Sequence, residues 1–337
     1  MSITYARRAR GVSLSICLAV LAACGSSKQA TPAASTTTAA LTTTAAATTT
    51  TTAVATTTTT TVAPAFPVTV KAGNGDVTIA TVPKAIVSLS PTATEMLFAI
   101  GAGAQVIAVD DQSTFPADAP KTDLSGFKPN VEAIVAKHPD QVVIADDSAK
   151  LADALGKVKI TVLVEPAATT LDDAYAQVAQ LGRATGHAAD AAKVVDTMKT
   201  GIADAIKKAP KPATKLKVYH ELDNTFYSVS TKSFIGTIYA QLGLDDIADP
   251  ADKDGTGYPQ LSAEAIVKAS PDLIVLADSK CCQQTPAVVA ARPGWASIVA
   301  VKKGGVITVD DDIASRWGPR VVDFAQAVAA AAAKAAG

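Results

Sequence analysis

One stretch of this chain occurs twice, and the repeat limits the folds open to it more than any other feature. Residues 130–146 (Asn-Val-Glu-Ala-Ile-Val-Ala-Lys-His-Pro-Asp-Gln-Val-Val-Ile-Ala-Asp) align without a gap with residues 262–278 (Ser-Ala-Glu-Ala-Ile-Val-Lys-Ala-Ser-Pro-Asp-Leu-Ile-Val-Leu-Ala-Asp). Glu132 matches Glu264 and Pro139 matches Pro271 at one constant offset. Each copy reads as a short helix carrying a glutamate, a Pro-Asp turn and a buried strand ending in Ala-Asp. A short apolar run bounded by turn residues suits a strand covered on both faces, as in a parallel sheet. The chain is therefore predicted to hold two similar α/β lobes.

The flanking sequence agrees. Val68–Lys71 and Val77–Ala80 alternate about Asn74-Gly75, a hairpin pattern. Ile86–Leu89, Val106–Val109, Gln141–Ile144 and Thr161–Val164 read as strands. Helical patterns follow Ser90-Pro91-Thr92 as far as Ile100 and cover Val131–Lys137 and Ala149–Val158. Strands alternating with helices imply a parallel sheet with helices on both faces. Residues 66–170 form the N-terminal lobe in this reading and 210–337 the C-terminal lobe. Between them, Ala174, Val178, Leu181, Ala188, Ala192, Val195 and Met198 are spaced for one helical face. Residues 171–209 are read as a single long helix joining the lobes, with Gly182 and Gly186 as points of interruption.

The N-terminus belongs to no fold. Arg7, Arg8 and Arg10 precede the apolar run Gly11–Val20, too short to span a bilayer and suited to a secretory signal. It ends in Leu-Ala-Ala-Cys24-Gly, which resembles the lipobox of bacterial lipoproteins. Residues 1–23 are thus expected to be removed and Cys24 to carry lipid; two or more acyl chains make such anchoring stable. Residues 24–65 are almost wholly Thr, Ala, Ser and Pro, a stalk with too little large apolar surface to offset the entropy of ordering it.

About 270 residues remain, enough for two domains. With 48% hydrophobic residues and a formal net charge of −1, the chain can build real cores and offers no electrostatic case for nucleic acid. Cys17 leaves with the signal, so Cys281-Cys282 are the cysteines of the folded part. Outside the membrane, thiols oxidise; a vicinal disulfide, free thiols and metal ligands all stay open. No G-x-S-x-G, P-loop, G-x-G-x-x-G after a strand or H-E-x-x-H occurs, so the chain is not expected to be an enzyme and no cofactor or resident metal is assigned. His138 and His187 are read as surface residues. His220 ends a strand and is placed at the cleft between the lobes.

A family resemblance rests on several of these segments together. Ile86-Val-Ser-Leu-Ser-Pro-Thr-Ala-Thr-Glu95, Leu124-Ser-Gly-Phe-Lys-Pro-Asn-Val-Glu132, His138-Pro-Asp140, Tyr258-Pro-Gln-Leu-Ser-Ala-Glu264 and Asp312-Ile-Ala-Ser-Arg316-Trp-Gly-Pro-Arg320 resemble the periplasmic-binding domain of iron-siderophore and cobalamin ABC importers. The likeness covers residues 82–330. It implies two α/β lobes bridged by one long helix, little hinge motion, and a small-molecule chelate bound between the lobes. The cobalamin-binding branch is the most similar. There, aromatics corresponding to Phe127 and Tyr258 cover the apolar face of the corrin, while Asp312 and Arg316 bond its amide edge. Gln112 and Asp146 stand where that branch carries further aromatics, which makes Gln112 a polar cleft residue. The resemblance also implies that Glu132 and Glu264 dock onto the two subunits of a permease dimer driven by its ATPase.

The functional expectation is a monomeric solute-binding lipoprotein on the outer face of the cell membrane, anchored through Cys24. It would deliver a cobalamin-type or ferric-siderophore ligand to an ABC importer. Haem capture through Tyr258 or His220, a metal-ion receptor of the same transporter class and a wall-associated hydrolase are the alternatives.

Overall fold

The computed structural model describes residues 66–337. The signal segment 1–23, Cys24 and the stalk 24–65 lie outside the described residues. Strands β1 (Val68–Ala72) and β2 (Gly75–Ile79) form the expected hairpin. Ala72 pairs with Gly75, so the turn residues are Gly73 and Asn74, one position earlier than the sequence suggests. The cause lies in a neighbouring strand. Asn74 Nδ2 donates to the Val162 carbonyl (3.0 Å), and its Oδ1 accepts from the Val164 N–H (3.2 Å).

That neighbour is the edge of a five-stranded parallel sheet. It comprises β3 (Ile86–Leu89), β4 (Val106–Asp110), β5 (Lys121–Leu124), β6 (Gln141–Ile144) and β7 (Thr161–Val164), in the order β5-β4-β3-β6-β7. Helices α1 (Pro91–Ala99), α2 (Val131–Val135) and α3 (Leu151–Gly156) connect them. β5 is the strand the sequence hides. It lies at the sheet's other edge, and of Lys121, Thr122, Asp123 and Leu124 only the last is buried, so no apolar pattern marks it.

Residues 171–209 make two helices, α4 (Leu171–Thr185) and α5 (Ala188–Lys208), not one. Gly186 closes α4 in a left-handed cap at φ +85°, a conformation that glycine adopts without strain. The chain then folds back. A Cβ on Gly182 would stand 2.3 Å from the Ala191 Cβ, and Lys199 Nζ lies 5.3 Å from the centre of the Tyr175 ring. The continuous apolar spacing is real, but it describes two helices facing one core. α5 alone carries the chain onward to the second sheet.

The second sheet contains β8 (Lys217–Glu221), β9 (Asp245–Asp246), β10 (Leu273–Leu276) and β11 (Val306–Thr308), parallel in the order β11-β10-β8-β9. Around it lie α6 (Phe234–Gln241), α7 (Ala263–Ala269), α8 (Ser279–Cys282), α9 (Pro286–Ala290), α10 (Val299–Lys303), α11 (Asp311–Ser315) and α12 (Val321–Ala336).

The repeat has the same structural job in both sheets. Asn130 caps α2 through the Ala133 N–H and Ser262 caps α7 through the Ala265 N–H. In each Pro-Asp turn the carboxylate ties the repeat's strand to its neighbour. Asp140 accepts from the N–H groups of Lys84 (2.7 Å) and Ala85 (3.1 Å) ahead of β3, and Asp272 from the Lys217 N–H (2.9 Å) opening β8.

The inner faces of the two sheets share one core. A single cluster runs from Ile86, Met96 and Leu163 through Val178, Met198 and Ile202 to Val218, Phe324 and Val328. Separate clusters cover the outer face of each sheet, with Ile134 and Leu155 on one side and Ile266 and Trp295 on the other. Phe324 is fully buried in the shared cluster, and truncating such a side chain costs about 3–5 kcal/mol. The two halves are thus welded along α5 and α12.

Candidate functional site

In open parallel sheets, ligand sites form beyond the C-terminal ends of the strands. Here those ends carry the segments after Asp110, Leu124, Glu221, Asp246, Leu276 and Thr308, and they bring together residues remote in sequence. The junction of the two halves is ionic. Arg316, just past α11, donates through Nη1 to Glu95 of α1 at 2.7 Å. Its Nη2 donates to Asp312 Oδ1 (2.8 Å), the Gln112 carbonyl (3.0 Å) and Thr114 Oγ1 (3.3 Å). Arg320 adds two bonds to Glu95, at 2.8 and 2.5 Å, and lays its guanidinium 4.3 Å from the centre of the Phe115 ring. Asp312 is held from three sides, by Arg316, by Thr114 (2.9 Å) and by Lys280 (3.0 Å). Burial works against its ionisation, but these donors outweigh it and hold its pKa below the ordinary carboxylate value.

The residues expected to meet the solute divide into three groups. Phe127, 85% exposed after β5, and Tyr258, 51% exposed on the segment before α7, are bare aromatics on opposite halves. Gln112 is exposed and lends its backbone carbonyl to Arg316. Arg316 is only 7% exposed and already has four internal acceptors, so its guanidinium braces the junction instead of presenting a free grip.

His220 does not face the cleft. It is 0% exposed, pointing into the shared core, where Nδ1 pairs with the Tyr239 hydroxyl at 2.6 Å and the ring lies beside Phe324. Burial pushes its pKa down to about 3. Side chains of β8 alternate: Val218 and His220 turn inward, Tyr219 and Glu221 to the other face. His220 therefore leaves the set of solute or iron ligands.

Glu132 and Glu264 are both exposed and occupy the same second position of a capped helix. Bonds from its own backbone N–H and from Ser262 hold Glu264 below the usual carboxylate pKa. Cys281 and Cys282 are joined as a vicinal disulfide in α8, directly after β10.

Sequence reasoning passed over four groups. Glu95 lies in the segment Ile86–Glu95, and its place beside the buried Met96 and Leu97 is the one signal in the sequence that it faces inward. Arg320, Thr114 and Lys280 complete the ionic junction. Tyr227, 42% exposed, lies on the segment after β8 and bridges to Gln260 near Tyr258. Finally, Arg292 forms a bidentate pair with Glu221, both bonds 2.6 Å, under the Trp295 ring. Beside it, Asp278 is wholly buried against Glu221; burial and then the Glu221 charge push its pKa up.

Residues 86–313 match a protein family described as periplasmic binding protein. The chain is 35% identical over 275 residues to an uncharacterized ABC transporter substrate-binding lipoprotein, YvrC, of Bacillus subtilis, covering 78% of this chain and 85% of that one. It is 32% identical over 274 residues to a cobalamin-binding protein of Halobacterium salinarum, covering 77% and 72% respectively. Among solved structures it is similar to the periplasmic vitamin B12 binding protein BtuF of Vibrio cholerae. There the TM-score is 0.62 at 20% identity, over 76% of this chain and 98% of that one.

Proposed function

We propose, from the premise that the chain belongs to the periplasmic binding protein family, that it captures a cobalamin-type corrinoid outside the cytoplasmic membrane and passes it to an ABC permease and its ATPase. The family is one of transport binding proteins, not enzymes. The observation that carries the corrinoid reading is the pair of bare aromatics on opposite halves, Phe127 on the segment after β5 and Tyr258 on the segment between β9 and α7. A corrin offers a broad apolar face that two such rings can cover, and its relatives at 27–32% identity are named for cobalamin or vitamin B12. Glu132 and Glu264 are the docking contacts in this reading, one for each permease subunit. Cys24 supplies the lipid anchor, and the Thr-rich stalk keeps the protein concentrated beside its permease.

The test is a fluorescence titration of the folded protein with cyanocobalamin, a ferric hydroxamate and haemin, followed through the two tryptophans. Saturable quenching by cyanocobalamin at micromolar concentration or below supports the corrinoid reading. Saturation only with the ferric hydroxamate transfers the same architecture to siderophores, a reading that the exposed Gln112 and Lys280 favour.

A further inference from the structure

The Cys281–Cys282 disulfide has no part in the ionic junction or the pair of exposed aromatics. Its position is defined: it follows β10, a central strand of the second sheet, and sits at the strand's C-terminal end. The segment carrying it is pinned without it. The Asp311 carboxylate accepts from three successive N–H groups, those of Ser279 (3.0 Å), Lys280 (2.9 Å) and Cys281 (3.1 Å). Lys280 bonds Asp310 and Asp312, and Gln284 accepts from Arg292 at 2.7 Å. Nor does the disulfide serve stability through the unfolded chain. That effect grows with the length of the loop closed and is least for adjacent residues. Cys281 is exposed, so it adds nothing to a core.

The repeat sharpens the point. The two copies correspond up to Asp146 and Asp278 and part immediately afterwards. After Asp146 the chain runs through Asp147, Ser148 and two further residues into α3; after Asp278 it makes α8 with the disulfide before α9 begins. The cysteines are an addition to the second half, placed on the side where the strands end. What they supply there is a small polarisable surface that neither donates nor strongly accepts hydrogen bonds, beside the ionic groups of Lys280 and Asp312. Sulfur packs favourably on conjugated rings.

We propose that the Cys281–Cys282 disulfide is a contact surface for the bound solute and selects for a flat, conjugated macrocycle. This rests on the corrinoid reading and adds a residue pair to it. An acyclic hydroxamate chelate presents mainly oxygen acceptors and gains little from sulfur.

Two measurements on the folded protein test it. The first is the rate at which tris(2-carboxyethyl)phosphine reduces the disulfide; the phosphine takes oxygen from water and two thiols form. A contact requires saturating cyanocobalamin to slow that reduction severalfold, and an unchanged rate overturns the proposal. The second is the affinity of Cys281→Ser/Cys282→Ser for cyanocobalamin, expected to fall about 3–10-fold, the range of a sulfur–ring contact. Equal affinity also overturns it. If the double variant melts well below wild type, the affinity is read instead on wild-type protein after reduction. Failure of wild type to bind cyanocobalamin sinks the corrinoid reading itself, a different outcome from tight binding that ignores the cysteines.

Discussion

Replacing Glu95 by glutamine tests the ionic junction between the two halves. The carboxylate is 3% exposed and accepts three charge-assisted bonds, one from Arg316 and two from Arg320. Removing one partner of a buried ion pair costs about 3–5 kcal/mol, because the remaining charge stays behind uncompensated. Two features reduce the figure here. Arg316 keeps the Asp312 carboxylate and the Gln112 carbonyl, and the Arg320 side chain is 18% exposed with Phe115 against it. A loss of about 2–4 kcal/mol is therefore expected. At roughly 2–4 °C per kcal/mol for a domain of this size, the melting temperature should fall by about 4–16 °C. Scanning calorimetry of Glu95→Gln beside Asp312→Asn supplies the comparison. Asp312 pairs with the exposed Lys280 and with Arg316, but Arg316 keeps Glu95 when Asp312 is neutralised, so Asp312→Asn should cost less, about 1–2 kcal/mol. The reasoning fails if Glu95→Gln melts within about 1 °C of wild type, or if the two variants are equally destabilised.

Phe127→Ala should weaken corrinoid affinity about 10–100-fold, the worth of burying one aromatic ring, and leave the melting temperature unchanged because the ring is already in water; titration and calorimetry on one sample check both halves. Glu132→Lys with Glu264→Lys should abolish corrinoid uptake by cells while the purified protein binds normally, and lost affinity would refute the docking role. Between pH 6.5 and 8 stability should decline. Burial raises Glu165 and Asp246 to about 7, so the native state holds protons there that the unfolded chain has lost. His220, depressed to about 3, works the other way at the acid edge of that window, where the unfolded imidazole is half protonated, by about 0.4 kcal/mol, and is silent above about pH 7.5. Glu165→Gln should flatten the decline by roughly 0.5–1 kcal/mol, read from denaturant midpoints across the range; an unaltered slope would mean that Glu165 is ionised throughout.

The repeat made both sheets legible because each copy encodes a complete unit of cap, helix, Pro-Asp turn and doubly buried strand. Those are local signals, and Asp140 and Asp272 use them identically. The same repeat says nothing about what surrounds its ends. Asp146 is exposed and bonded to Ser148, whereas its counterpart Asp278 is sealed beside Glu221 and Arg292. His220 shows the same limit. Its place in a strand could be read, but a strand of period two has two faces, and only Tyr239 and Phe324 from distant helices decide which one is the core. Residues 171–209 carry one apolar stripe that a straight helix and a folded-back pair satisfy equally. Gly186 alone separates them, and a glycine in a helical pattern is permissive, not decisive.

The shared core and the Glu95 junction bear on how a solute is taken up. Binding proteins that close by hinging need a seam between lobes that can open. Here Met198, Ile202, Phe324 and Val328 fill that seam, and opening it would expose them along with the buried carboxylate of Glu95. Each large apolar side chain brought into water costs about 1.5–3 kcal/mol, so the four together cost about 6–12 kcal/mol, as much as the whole binding free energy of a micromolar-to-nanomolar solute. The strand-end segments are what remains free to adapt, and they carry Phe127, Tyr258, Tyr227 and the disulfide. On the proposed corrinoid reading, covering the exposed rings of Phe127 and Tyr258 is what binding gains.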